Sequence, residues 1–175
     1  GKTGNQYTSR DFCIDYIAIN DASGTINNSW CGNGSIVCIH PYANGSINQF
    51  TPMEGTQNFE NVDETSSDGD ATYNSSYALE DTDLFKFKID GVDEQTVINA
   101  VSVITQAKFL EQPLNMAHVI SIDGVTEELS NFKLQNGYVN QASCTDVNPK
   151  TNGKFTVGEF NNSLEIGYRT KDYVE

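Results

Sequence analysis

Basic residues are scarce in this 175-residue sequence, which has 10 Lys and Arg against 24 Asp and Glu and a formal net charge of −14. No Lys or Arg lies between Arg10 and Lys86. A surface of this kind repels the phosphates of nucleic acids and the headgroups of anionic membranes. We therefore expect no direct binding to nucleic acid.

Long apolar runs are absent as well. No stretch approaches the roughly 18 consecutive apolar residues that a membrane-spanning helix needs, so we expect no insertion into a membrane. The length is nevertheless sufficient for a two-layer core, and we predict a single domain over residues 1–175.

The sequence also lacks the motifs of common catalytic sites. It has no Gly-x-Ser-x-Gly nucleophile motif, no His-Glu-x-x-His zinc motif and no glycine-rich phosphate loop. The two histidines, His40 and His118, are far apart, and the strand-like surroundings of His118 indicate a structural residue. Carboxylates that could serve a glycosidase are abundant, but nothing selects one pair. We expect the protein not to be an enzyme.

Cysteine is limited to four residues, and none belongs to a Cys-x-x-Cys pair, so zinc-ribbon and thioredoxin-like sites have no support. Two disulfides would have three connectivities, of which we favour Cys13–Cys31 with Cys38–Cys144. Asn-x-Ser/Thr sequons for glycosylation occur at Asn27, Asn33, Asn44, Asn74 and Asn161. Together these features favour an extracellular, cell-surface or virion location.

The sequence does contain the alternation of apolar and polar residues that is typical of β-strands. Residues 84–90 and 117–122 alternate as a half-buried strand requires, and each runs into the same Ile-Asp-Gly-Val sequence, whose Asp-Gly pair suits a tight turn. Further strands are predicted at 12–19, 35–39, 132–134, 154–157 and 164–169. The predicted fold is mainly β: an antiparallel β-sandwich or barrel with a single α-helix.

The single helix is predicted over residues 93–110. Val97, Val101 and Ile104 fall on one helical face, and Pro113 follows soon after. Because several of these residues are β-branched, strand alternation fits nearly as well. The length of the segment favours the helix.

Two regions are strongly polar. Residues 1–10 are predicted to form a flexible N-terminal arm, and residues 43–83 a long acidic polar loop region of the kind that is commonly functional or ordered by a partner. Within this loop Asp63, Asp68 and Asp70 are candidate calcium ligands, because calcium prefers several oxygens on a turning backbone. Calcium is the one cofactor that the sequence leaves open; a solvated acidic loop is the alternative.

A second calcium candidate is the segment 146–160, whose ending resembles an EF-hand loop. It has two additional residues after Asn148 and a Lys150 where a ligand oxygen is wanted. A hairpin turn at Asn152 and Gly153 explains the segment better.

Five segments follow one another in the second half of the chain: a Phe-x-Phe strand at 85–87, the segments 93–108, 117–122 and 130–139, and an alternating strand with a tyrosine at 164–171. Their order resembles that of the tail-tube proteins of phages and contractile injection systems, including the haemolysin-coregulated proteins. This resemblance implies subunits that join their sheets around a ring and stack into a tube with an acidic lumen. A shorter stretch, residues 13–19 with Trp30 and Cys31, resembles the second-disulfide region of CUB domains.

Two functions are compatible with these observations. The first is a non-enzymatic structural subunit that self-assembles through β-edges, such as the uncharged segment 35–39, into an extracellular or virion tube or filament. Its partner would be the protein itself, as a homo-oligomer or polymer. The alternative is a secreted recognition module that binds carbohydrate or protein, with or without calcium, through exposed aromatic residues. The candidate aromatic residues are Tyr7, Trp30, Tyr42, Tyr73 and Tyr77.

Overall fold

The computed structural model describes residues 34–112 and 114–172. By its internal contacts the chain divides after Ile36, and the fold described below belongs to the unit Val37–Glu175. The arm predicted at 1–10 and the strand predicted at 12–19 lie outside the described residues. The single-domain prediction for 1–175 stays a prediction.

The fold is mainly β, with antiparallel sheets and one α-helix in the described residues. A 3-10 helix, Asn58–Asn61, follows the second strand. The strands are β1 (Ala43–Asn48), β2 (Thr51–Pro52), β3 (Asn74–Ser75), β4 (Thr82–Lys86), β5 (Val97–Ile98), β6 (Val101–Ala107), β7 (Asn115–Ile122), β8 (Val125–Lys133), β9 (Val139–Thr145), β10 (Phe155–Thr156) and β11 (Leu164–Lys171), and the helix is α1 (Val157–Ser163).

The main sheet has five strands in the order β1-β4-β11-β7-β8, all antiparallel. Every residue of β7, which lies between β11 and β8, is buried. β7 and β8 are joined by a two-residue turn in which Asp123 and Gly124 both have positive φ, 49° and 81°. This is the geometry that the Asp-Gly pair predicts, because glycine tolerates positive φ without strain.

A second layer covers one face of this sheet. β6 and β9 form a two-stranded ribbon that packs on the face of β7 carrying His118 and Ile120. Two apolar clusters form the core, one containing Phe155 and Phe160 and the other containing Phe85 and Tyr168. The described strands form open sheets and not a closed barrel.

The helix prediction for residues 93–110 is wrong, because the segment forms β5 and β6. Its β-branched residues suit a strand, and β6 gains a complete ladder by pairing with β9 from Val101↔Thr145 to Ala107↔Val139. The helix of the described region is α1, which begins after Thr156 with a capping box that this residue forms with Glu159.

Three other predictions of local structure also need correction. Residues 35–39 contain no strand. Residues 43–83 are not one long loop: β1 forms there because its backbone pairs with the edge of β4, despite its polar side chains. No hairpin forms at Asn152–Gly153, because the short strand β10 pairs with β5 and not with β9.

Candidate interaction surface

The β6–β9 ribbon carries no charged side chain. The sequences Val-Ser-Val-Ile-Thr-Gln-Ala and Val-Asn-Gln-Ala-Ser-Cys-Thr contain no Asp, Glu, Lys, Arg or His. Within the described residues β6 pairs with β9 only, so the far edge of β6 has no strand beside it. Unpaired backbone groups on an uncharged edge are the feature through which strands join other strands.

The two strands present a continuous outward face, because their registered residues point to the same side. The pairs Ile104↔Ala142 and Gln106↔Asn140 are exposed, and the amide of Gln106 donates a 3.2 Å hydrogen bond to Asn140. Ile104 exposes 69% of its surface. We call the six exposed residues of this side the ribbon face; they are Ser102, Ile104, Gln106, Asn140, Ala142 and Cys144.

The opposite side of the ribbon is fixed to the main sheet through His118. Its Nδ1 lies 2.5 Å from Oγ of Ser143 in β9, and its Nε2 lies 3.0 Å from Oγ1 of Thr105 in β6. The imidazole ring also lies against Phe132, with 4.8 Å between ring centroids. Burial lowers the pKa of His118 to about 4, so the ring is neutral at pH 7. This histidine joins the two layers, in agreement with the structural role that its sequence surroundings predict.

Charged residues begin immediately beyond the ribbon. Lys108 follows β6 and binds Asp70 at 2.6 Å, with its ammonium group 4.4 Å from the ring centroid of Tyr138. The hydroxyl of Tyr138 donates to Asp70 at 2.8 Å, and burial together with this carboxylate raises the pKa of Tyr138 to about 12. The hydrogen bond from Lys108 lowers the pKa of Asp70. These contacts dock the acidic segment against one end of the ribbon.

The candidate calcium ligands are not assembled into one site. Asp70 is engaged by Lys108 and Tyr138, and Asp68 accepts a 2.8 Å hydrogen bond from Thr72. Asp63 is exposed. Within the described residues no group of three or more His, Cys, Asp and Glu side chains is close enough to hold a metal ion.

Hydrogen bonds and an ion pair within the EF-hand-like segment 146–160 engage several of its polar side chains. Asn148 is fully buried; its Oδ1 accepts from the backbone N–H of Lys150 at 2.9 Å, and its Nδ2 donates to Glu159 at 3.2 Å. Lys154 binds Asp146 at 2.6 Å. The buried asparagine and the capping box therefore shape this turn, in place of the predicted hairpin.

Cys38 and Cys144 are exposed free thiols, so the favoured Cys38–Cys144 bond is not formed. The thiol of Cys144 belongs to the ribbon face, and its partial burial raises its pKa. Cys13 and Cys31 lie outside the described residues, and their pairing stays a prediction.

The side-chain amides of two sequon asparagines form hydrogen bonds within the fold. The amide of Asn161 forms two hydrogen bonds with the backbone of Ile89, accepting at 2.8 Å and donating at 3.0 Å. The Nδ2 of Asn74 donates to the carbonyl of Asn58 at 2.9 Å and to the hydroxyl of Tyr168 at 3.2 Å. Because a glycan is attached at Nδ2, glycosylation at these two positions would break the native contacts.

The other three sequons differ from these two. Asn44 is partly buried and accepts a 2.9 Å hydrogen bond from the backbone of Phe59, so its amide is also tied to the fold. Asn27 and Asn33 lie outside the described residues, where glycosylation stays a prediction.

Two of the candidate aromatic residues are exposed, Tyr42 by 49% and Tyr77 by 86%. Tyr73 is partly buried, and Tyr7 and Trp30 lie outside the described residues. Tyr42 lines an open polar cleft of about 400 Å³, together with Lys86 and Glu165. This cleft lies on the main sheet and not on the β6–β9 ribbon.

Sequence reasoning missed the ribbon face because residues 93–110 were assigned to a helix. A signal was nevertheless present: residues 95–107 and 134–145 contain no charged side chain in a strongly acidic chain.

Comparisons of the chain with protein families, with characterised proteins and with solved structures find no match. In the described part of the chain, none of the helical segments has the length and apolar character needed to cross a bilayer.

Proposed function

We propose that this protein is a non-enzymatic structural subunit whose copies join one another through β6 and the ribbon face to build an extracellular or virion tube or filament. The observation that supports the proposal is the uncharged ribbon, which exposes Ile104 and whose β6 edge has no partner strand among residues 34–112 and 114–172. The predicted edge at 35–39 has no part in it, because that segment forms no strand.

The distribution of charge on the chain supports a second copy of the chain as the partner. Two copies with a net charge of −14 repel each other over most of their surface, and close approach costs least where neither copy carries charge. The ribbon face meets this condition, since its six residues are all uncharged.

The two outer edges of the main sheet are less suitable for pairing. β8 carries Glu127 and Glu128 and contains a β-bulge, both of which discourage pairing with another strand. β1 is uncharged but its register with β4 is irregular between Asn44 and Asn48. β6 is longer than β1 and pairs regularly with β9, so it offers the better template for a neighbouring strand.

The test is electron microscopy together with analytical ultracentrifugation at micromolar concentration, for the native chain and for Ile104→Lys. We expect regular tubes or fibres, or masses that are multiples of 19.2 kDa, for the native chain and a 19.2 kDa species for the variant. A lysine on an edge strand blocks pairing because its charge must be desolvated in the interface. Ser102→Lys, on the same face, is expected to act in the same way.

Val125→Lys is the matched control. Val125 is a β-branched, exposed residue of β8, and its replacement changes the net charge by the same amount as Ile104→Lys. Assembly by this control and none by Ile104→Lys supports the proposal. A native chain that stays at 19.2 kDa, or assemblies that are unchanged in Ile104→Lys, would refute it.

A further inference from the structure

The polar cleft lined by Tyr42 is formed where the main sheet meets the β7–β8 turn and the end of α1. Three of its side chains form a row across neighbouring strands, because Glu165 of β11 is registered with Lys86 of β4 on one side and with Ser121 of β7 on the other. Its volume of about 400 Å³ falls in the range of ligand pockets, roughly 300–1,000 Å³. The cleft is therefore large enough for a small ligand.

Two carboxylates of the cleft are held in place before any ligand arrives. Glu165 accepts hydrogen bonds from the backbone N–H of Ser46 at 3.0 Å and from its hydroxyl at 2.5 Å. Asp123 accepts from the ammonium group of Lys150 at 2.6 Å. Acceptors that are already oriented bind a ligand hydroxyl at a lower entropic cost than mobile side chains do.

The cleft also offers a donor and an apolar surface. Lys86 is exposed, and its ammonium group has no ion-pair partner among residues 34–112 and 114–172. Tyr42 is half exposed, so its ring provides an apolar plane and its hydroxyl a further polar group. The cleft thus combines acceptors, a donor and an aromatic face.

This set of groups selects among ligand classes. An apolar ligand would desolvate the carboxylates of Asp123 and Glu165, which costs free energy. An anionic ligand would meet the two carboxylates. A polyhydroxylated ring matches, because its hydroxyls both donate to carboxylates and accept from an ammonium group, while its C–H face can cover an aromatic ring.

We propose that this cleft binds a neutral saccharide, whose ring lies against Tyr42 and whose hydroxyls bind Glu165, Asp123 and Lys86. The site does not depend on self-assembly, because the cleft is formed by the main sheet, the β7–β8 turn and α1, and contains no residue of β6 or β9.

The test is a glycan array of neutral and acidic glycans probed with the full chain, followed by titration calorimetry with the neutral glycans that bind. We expect neutral glycans to bind, and both Tyr42→Ala and Lys86→Met to weaken the affinity by about tenfold or more, which corresponds to about 1.4 kcal/mol. Tyr77→Ala is the matched control, because Tyr77 is exposed but does not line the cleft. We expect it to leave the affinity within about twofold.

Three outcomes would overturn the saccharide site: no neutral glycan binds, acidic glycans alone bind, or Tyr42→Ala binds as well as the native chain. Ile104→Lys separates this proposal from the assembly proposal, since it is expected to lose self-association and to keep saccharide affinity. Comparable urea unfolding midpoints for the native and Tyr42→Ala proteins establish that the variant is folded.

Discussion

Acidification should weaken this protein through His118, the buried histidine that joins the ribbon to the main sheet. Its pKa is about 4 in the folded chain and 6.5 in an unfolded chain. The unfolded state therefore takes up a proton between pH 6.5 and pH 4 that the folded state does not bind. The contribution to stability is complete above pH 6.5 and is lost as the pH falls through this window.

The size of the effect follows from the gap of about 2.5 pH units between the two pKa values. Each pH unit corresponds to about 1.4 kcal/mol, so the free energy of unfolding should fall by about 3 kcal/mol between pH 6.5 and pH 4 on account of this residue. A domain of this size has a total stability of about 5–15 kcal/mol, so the loss would be a large fraction of the whole.

The assay is urea unfolding of the native chain and of His118→Gln at pH 7.0, 6.0, 5.0 and 4.5. Gln cannot be protonated in this range but keeps a donor and an acceptor for Thr105 and Ser143. Other groups titrate in both proteins; for example, burial raises the pKa of Asp83, which favours the folded state at low pH. The difference between the two proteins removes these shared contributions.

We expect the stability advantage of the native chain over His118→Gln to shrink by about 1.4 kcal/mol per pH unit below pH 6. The reasoning fails if the difference between the two proteins is the same at pH 7.0 and at pH 4.5. It also fails if the native chain gains stability relative to the variant on acidification.

Three further predictions concern stability, each measured by urea unfolding at pH 7. Gly167→Ala should destabilise the fold by about 3 kcal/mol or more, because an added Cβ would overlap the carbonyl oxygen of Asp83, whereas Gly137→Ala, with open space around it, should be nearly neutral. Asn161→Ala should cost about 1–3 kcal/mol, since it leaves both backbone groups of Ile89 without their partner; an unchanged midpoint would contradict this. Thr156→Ala should cost about 1 kcal/mol by removing the cap of α1, and a loss equal to that of Gly167→Ala would show that the residue does more than cap.

Some strands could be predicted from the sequence because their pattern is local. β7 and β11 cover residues 117–122 and 164–169, where the sequence pattern predicts strands. The half-buried character predicted for 117–122 is wrong, because every residue of β7 is buried. The turn predicted at Asp123-Gly124 is confirmed for a similar reason: glycine tolerates positive φ without strain, and aspartate adopts it more readily than most residues do.

The same local sequence led to a different structure at its first copy. Gly91 has a positive φ of 73°, as Gly124 does, yet no hairpin follows it. The strand that follows, β5, finds its partner in β10, far along the chain. The turn residues determine the local backbone conformation. Which strands pair with each other depends on the burial of residues that lie far apart in the sequence.

The sequence alone did not reveal the two candidate surfaces, the ribbon face and the cleft, for a related reason. The ribbon face exists only because β6 is a strand. The sequence of residues 93–110 does not distinguish a strand from a helix, because its pattern fits both nearly equally. The cleft combines Tyr42, Lys86, Ser121 and Glu165, which come from distant segments and meet only through sheet register. No spacing in the sequence could have predicted that meeting.

By itself, the sequence determined the acidic net charge, the mainly β class and several strands and turns, because side-chain alternation and backbone preference act over a few residues. The tertiary structure alone decided that Val101–Ala107 is a strand paired with Val139–Thr145, that the helix begins at Val157, and that the sequon amides of Asn74 and Asn161 form hydrogen bonds within the fold. These outcomes depend on which distant residues form hydrogen bonds with each buried backbone and amide group. That choice is made only when the layers pack against each other.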